Sequence, residues 1–122
     1  MDIASKSVKD LREMLDKKEI SSKELTKEYI DRIKKYDSEI ESYITVTEEK
    51  AYADAEKAQK LIDSGKASML CGIPMAIKDN ICTDGIRTTC SSKMLENFIP
   101  PYNATVIEKL ESENIVMLGK VS

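Results

Sequence analysis

The chain has 122 residues, 41% apolar and 34% charged, with a net charge of −3 and no histidine. That is about one ordinary domain, without the basic stripe that electrostatic nucleic-acid binding needs. The missing histidine excludes Ser-His-Asp and Cys-His nucleophiles, and histidine metal sites, built from this chain alone. A general base must then be a carboxylate, a lysine, a tyrosine or a cysteine. No apolar run approaches the roughly 20 residues that cross a bilayer. The first eighteen residues, MDIASKSVKDLREMLDKK, lack the apolar core of a secretory signal, so a cytoplasmic protein is expected. Cys71, Cys82 and Cys90 are odd in number and spaced as neither a redox pair nor a zinc site. They are expected to be buried or inert.

Of the 41 charged residues, 30 lie before Ala67. The chain is therefore divided into a helical region, 1–66, and an α/β region, 67–122. Ser7 caps a first helix, with Val8, Leu11 and Leu15 on its inner face. Ser21 and Glu24 form a capping box for a second helix running to about Asp37, with Leu25, Tyr29, Ile33 and Tyr36 inward. Tyr43 to Val46 is short and β-prone, a brief strand or an extended linker. Thr47 opens a third helix on Ala51, Ala55, Ala58 and Ile62, stopped at Ser64-Gly65.

Beyond it, Met75 to Lys78 reads as a strand. Asp84-Gly85 is a turn, and Ile86 to Thr89 reads as a second short strand. Ser92 to Asn97 forms a short helix, and Pro100-Pro101 interrupts regular structure. Thr105 to Glu113 is a helix with Val106, Ile107 and Leu110 in register. Ile115 to Leu118 is an apolar run of strand length, buried on both faces. The fold class is mixed α/β. Because the chain stops just after an apolar strand, which needs neighbours, it is expected to be the front of something longer, and self-association through open strand edges is a further expectation.

Lys78 closes the run GIPMAIKDNI, Gly72 to Ile81, with five apolar residues directly before it. A lysine at a strand end commonly snorkels to water. If buried instead, its charged form is disfavoured, and it becomes the natural base for a serine hydroxyl in a chain without histidine.

GIPMAIKDNI resembles the G-x-P-x-x-I-K-D-N block of the amidase signature family. Further blocks follow in order: Thr83 and Gly85, IRTTCSS with Thr88, Thr89 and Ser91, Leu95 and NFIPP, PYNATVIEKL, and IVMLGK ending at Gly119-Lys120. KEISSKEL and ESYITV fit before them. IRTTCSSKMLENFIPPY is most similar to the branch whose members serve tRNA-dependent amidotransferases. The resemblance implies a mixed sheet flanked by helices. It also implies a serine nucleophile, a second serine in a cis peptide, and a lysine base at Lys78. The two serines belong to a Gly/Ser-rich stretch that these residues lack, so the chain alone is expected to be inactive. Glutamine would be hydrolysed and its ammonia used to amidate misacylated Glu-tRNA(Gln) or Asp-tRNA(Asn). The implied partners are a B subunit, handling tRNA with ATP and Mg, and a small C subunit; this chain would need no cofactor or metal.

Four positions depart from the family pattern: Asn103 for an acid, Asn114 near a usual glycine, and Val121-Ser122 for Thr-Asn. Asp79 is expected to accept backbone hydrogen bonds in the following turn, and Thr88, Thr89 and Ser91 to bond locally. A stand-alone carboxamide amidase and a non-enzymatic helical interaction module remain alternative readings.

Overall fold

A computed structural model describes residues 3–40, 42–90 and 92–121. After a 3-10 turn at Ile3–Ser5 come α1 (Val8–Asp16), α2 (Ser22–Ile40), β1 (Tyr43–Val46), α3 (Glu48–Asp63) and β2 (Pro74–Lys78). A second 3-10 turn at Lys93–Leu95 precedes α4 (Thr105–Ser112) and β3 (Val116–Val121). The fold is mixed α/β, as expected.

Local chemistry starts the first two helices. Ser7 Oγ accepts from Asp10 N at 3.1 Å, and Asp10 returns the bond to Ser7 N. Ser21 and Glu24 exchange the same pair at 3.1 and 3.2 Å. Each reciprocal pair satisfies amide donors that a helix start leaves unpaired. At α3 the expected cap is absent: the Thr47 hydroxyl donates instead to Met117 O at 2.9 Å, tying the helix start to β3.

The inner faces are partly corrected. Leu11 and Leu15 are buried, but Val8 is 43% exposed. In α2 the buried stripe is Ser22, Leu25, Thr26 and Ile30, while Tyr36 is 42% exposed, and the helix continues to Ile40. Tyr29 and Ile33 pack half-buried against the core as expected, and the inner face is wider than the predicted stripe because α2 packs against both α3 and β3. Ala51, Ala55, Ala58 and Ile62 are all buried, as the sequence indicates. In α4, Val106 faces solvent and Ile107 is buried.

The sheet has the order β1-β3-β2, with β3 antiparallel to β1 and parallel to β2. The central strand is buried from Val116 to Lys120, so it is covered on both faces. Val116 and Leu118 pack under α2 and α3 with Ile30, Ala51 and Ala55. Met117 packs on the other face with Ile77 and Ile107. A third cluster joins α1, α2 and α3 through Leu11, Leu15, Leu25, Ala58 and Ile62, and reaches Cys71 and Ile73 at the approach to β2. Each such Leu or Ile contributes about 1.5–3 kcal/mol relative to exposure. Arg12 lies inside this cluster's rim, donating to Ser68 O at 3.0 Å and to Cys71 O, with Asp16 as its counter-ion at 2.9 Å. It thereby fastens α1 to the segment that feeds β2.

Ile86 to Thr89 is not a strand. An isolated bridge joins Thr83 to Ile86; the segment is a loop whose amides bond elsewhere.

Candidate active site

The site is built on the end of β2, the loop 79–90 that follows it, and the end of β3. Gly72 sets the approach. Its φ is +78°, and a Cβ there would lie 3.1 Å from Ser22 Oγ and 3.3 Å from Ile62 Cδ1. Glycine is required by both conformation and space.

Lys78 is exposed, as is Ala76 two residues earlier, while Ile77 between them is buried. Alternation puts Lys78 on the sheet face opposite Ile77. The buried lysine that base chemistry prefers is therefore not Lys78 within these residues. It is Lys120, on β3, which is fully buried.

A bulge explains the exchange. Met75 pairs with Met117, but Ala76 pairs with Gly119, so Leu118 is an extra residue on β3. Simple alternation would put Lys120 with Val116 and Leu118 beneath the helices. The inserted residue reverses the faces beyond it. Lys120 instead pairs with Ile77, on the face of Met117. Its ammonium donates to Ile81 O, to Thr83 Oγ1 at 2.9 Å and to Thr88 Oγ1 at 3.2 Å. Burial pushes the Lys120 ammonium below its ordinary value, with Asp79 pulling in the opposite direction.

Asp79 does what the sequence suggests. It is buried, its N–H donates to Val121 O at 2.7 Å, and its Oδ2 accepts from Thr89 N at 3.0 Å and from the Thr89 hydroxyl. Its carbonyl accepts from Cys90 N at 3.2 Å, closing the base of the loop. Thr88 Oγ1 donates locally to Ile86 O at 3.0 Å but also accepts from Lys120, and Thr89 bonds across the loop to Asp79, so neither bonds only locally; Ser91 lies outside the described residues. Arg87 pins the loop to β1, donating to Thr45 Oγ1 at 3.3 Å and to Ile44 O at 3.2 Å.

Of the departures from the family pattern, Ser122 lies outside the described residues and the other three have structural reasons. Asn103 Oδ1 accepts from Asp84 N at 2.7 Å, the task an acid's oxygen would perform. Asn114 has φ +60°, the left-handed region that Asn tolerates best after glycine. Val121 contributes its backbone carbonyl to Asp79, which any residue can supply.

The cysteines are free. Cys71 is buried, which pushes its thiol up, whereas Cys82 is half-buried and Cys90 exposed, so of the expected burial or inertness, burial holds for Cys71 alone. Sequence reasoning missed Lys120, although the signal was present: IVMLGK also ends an apolar run with a lysine. Among the described residues, no cluster of acidic or thiol side chains could hold a metal ion, and no helix is long and apolar enough to cross a membrane.

A mixed three-stranded sheet flanked by helices, with a lysine at the end of an edge strand and a braced loop after it, places the chain in the α/β class. The sequence profile of the Amidase family matches residues 24–122, and the chain belongs to that family. Over its full length it is 55% identical to the A subunit of the glutamyl-tRNA(Gln) amidotransferase of Ruminiclostridium cellulolyticum. It is 54% identical over 120 residues, 98% of its length, to the corresponding protein of Caldanaerobacter subterraneus subsp. tengcongensis. The chain spans about a quarter, 25%, of the length of these relatives. The native peptide amidase from Stenotrophomonas maltophilia superposes with a TM-score of 0.93 at 28% identity, covering 99% of this chain and 25% of the other. An amidase family protein from Bacillus anthracis gives 0.91 at 29%, with the same coverage.

Proposed function

We propose that this chain is the part of a glutamine-hydrolysing amidase subunit that carries its lysine base. The observation behind this reading is identity of 50–55% to amidotransferase A subunits over nearly the whole chain, against 28–29% to the Stenotrophomonas maltophilia peptide amidase and the Bacillus anthracis amidase family protein. That contrast favours the amidotransferase reading over a stand-alone carboxamide amidase.

In this reading Lys78 removes the proton from a bridging serine, which in turn activates a serine nucleophile. The nucleophile attacks the side-chain amide of glutamine. An acyl-enzyme forms, ammonia leaves, and water releases glutamate. Backbone N–H groups of a Gly/Ser-rich loop hold the oxyanion. Both serines lie outside these 122 residues. A base acts from its neutral amine, which desolvation favours; chain packed along the open side of β2 supplies that cover. The ammonia passes to B and C subunits, where ATP and Mg activate the carboxyl of Glu-tRNA(Gln) or Asp-tRNA(Asn). The amidase component itself uses no metal. Such a protein works in the cytoplasm.

The test is ammonia release from glutamine by the complete reading frame co-expressed with its companion subunits. Lys78→Ala is expected to lower kcat by at least about 10³-fold with the fold intact, within the range for loss of a general base. Unchanged turnover returns Lys78 to an ordinary surface lysine and removes the proposal.

A further inference from the structure

We propose that Lys120 is a positioning residue of this reaction, a clamp that fixes the loop leaving β2 at Lys78; the proposal rests on the reading of Lys78 as the base. An ammonium has three protons to give, and Lys120 gives all three to one loop. Ile81 O and Thr83 Oγ1 are on its outgoing limb, and Thr88 Oγ1 is on its returning limb. The loop's base is closed separately by Asp79 with Thr89 and Cys90. Lys78 thus stands between two attachments to the same neighbouring strand. Behind it, Ile77 pairs with Lys120, and it pairs itself with Val121. Ahead of it, the Lys120 side chain holds the loop.

Burial of an ammonium is expensive, and an apolar side chain would hold β3 in the sheet at lower cost. What an apolar side chain lacks is three directed bonds joining both limbs of the loop. The bulge at Leu118 is what aims them there, by turning Lys120 away from the helices. Without the clamp, two threonine hydroxyls and a carbonyl lose their shared donor, and the backbone just past Lys78 is free to shift. A displacement of about 1 Å at a reacting group costs on the order of a hundredfold in rate.

The experiment uses the full-length protein in complex with its companion subunits. It compares wild type with Lys120→Met, the pair Thr83→Val and Thr88→Val, and all three together. Ammonia release gives kcat and KM for glutamine, and hydrogen exchange follows the amides of 79–90. Lys120→Met is expected to lower kcat by about ten- to a hundredfold with KM within about threefold. Exchange in the loop rises. The threonine pair acts in the same direction and adds nothing once Lys120 is gone, because all three substitutions break one unit. A folded Lys120→Met complex with kcat within about twofold of wild type overturns the proposal, as does a loss confined to KM or fully additive losses. Should Lys120→Met not assemble, unchanged kcat in the threonine pair overturns it. If the wild-type complex hydrolyses no glutamine, the functional reading fails on its own, and unchanged loop exchange in Lys120→Met then overturns the clamp.

Discussion

Lys78 and Lys120 end adjacent strands, yet one is exposed and the other fully buried. The pH dependence of stability follows from the second. Burial lowers the folded pKa of Lys120 below its ordinary 10.5. Between the lowered value and 10.5 the unfolded chain binds the extra proton, so this residue's contribution to stability rises with pH across that window. Denaturant unfolding at a series of pH values should show wild type gaining on Lys120→Met from the lower to the upper end of it. A parallel pair of curves would contradict the burial. Which lysine is buried was not legible in sequence, because both follow apolar runs and a one-residue bulge decides the face. At Asn114, near a usual glycine, the structure shows the left-handed backbone that either residue tolerates, with φ +60°.

At the scale of elements, the helices were the most legible. Their starts are set by contacts three residues apart, Ser7 with Asp10 and Ser21 with Glu24, and their alanine face in α3 is periodic. What failed was set by distant partners. Val8, Tyr36 and Val106 have helical spacing but lie outside the buried core, 42–48% exposed. Ile86 to Thr89 is β-prone, but its amides have separate partners rather than a strand: Ile86 N donates to Thr83 O at 3.1 Å, Thr88 N to Phe98 O at 2.9 Å and Thr89 N to Asp79 Oδ2 at 3.0 Å. The strand β3 carries the sharpest steric demand. A Cβ on Gly119 would lie 2.3 Å from Thr45 O and 3.0 Å from Tyr43 Cδ2, so β1 approaches closer than any side chain permits. Gly119→Ala should destabilise the protein by about 3 kcal/mol, the upper part of the overpacking range, with β1 displaced from the sheet. A change in the urea midpoint too small to measure would contradict this contact.

On the scale of the whole molecule, the 122 residues hold the proposed base, Lys78, and its scaffold but no Gly/Ser-rich nucleophile stretch. The chain by itself is expected to release no ammonia from glutamine, measured against the complete complex at equal concentration; clear turnover would remove the Ser–cis-Ser–Lys assignment. The family relationship was legible because its blocks are contiguous and ordered, whereas the geometry around Lys78 depends on residues brought together across the sheet.

The strand order β1-β3-β2 also sets a schedule. The central strand is the last of the three to be made, and Thr45 waits for Lys120. At about 5–20 residues per second of synthesis, that interval is roughly 4 to 15 s. Through it α1 and α2 can form from their own caps, but Ile30, Ala51 and Ala55 have no strand to cover. The nascent chain therefore carries an apolar groove beneath α2 and α3 until Val116 and Leu118 arrive. That interval is when a ribosome-associated chaperone has something to hold.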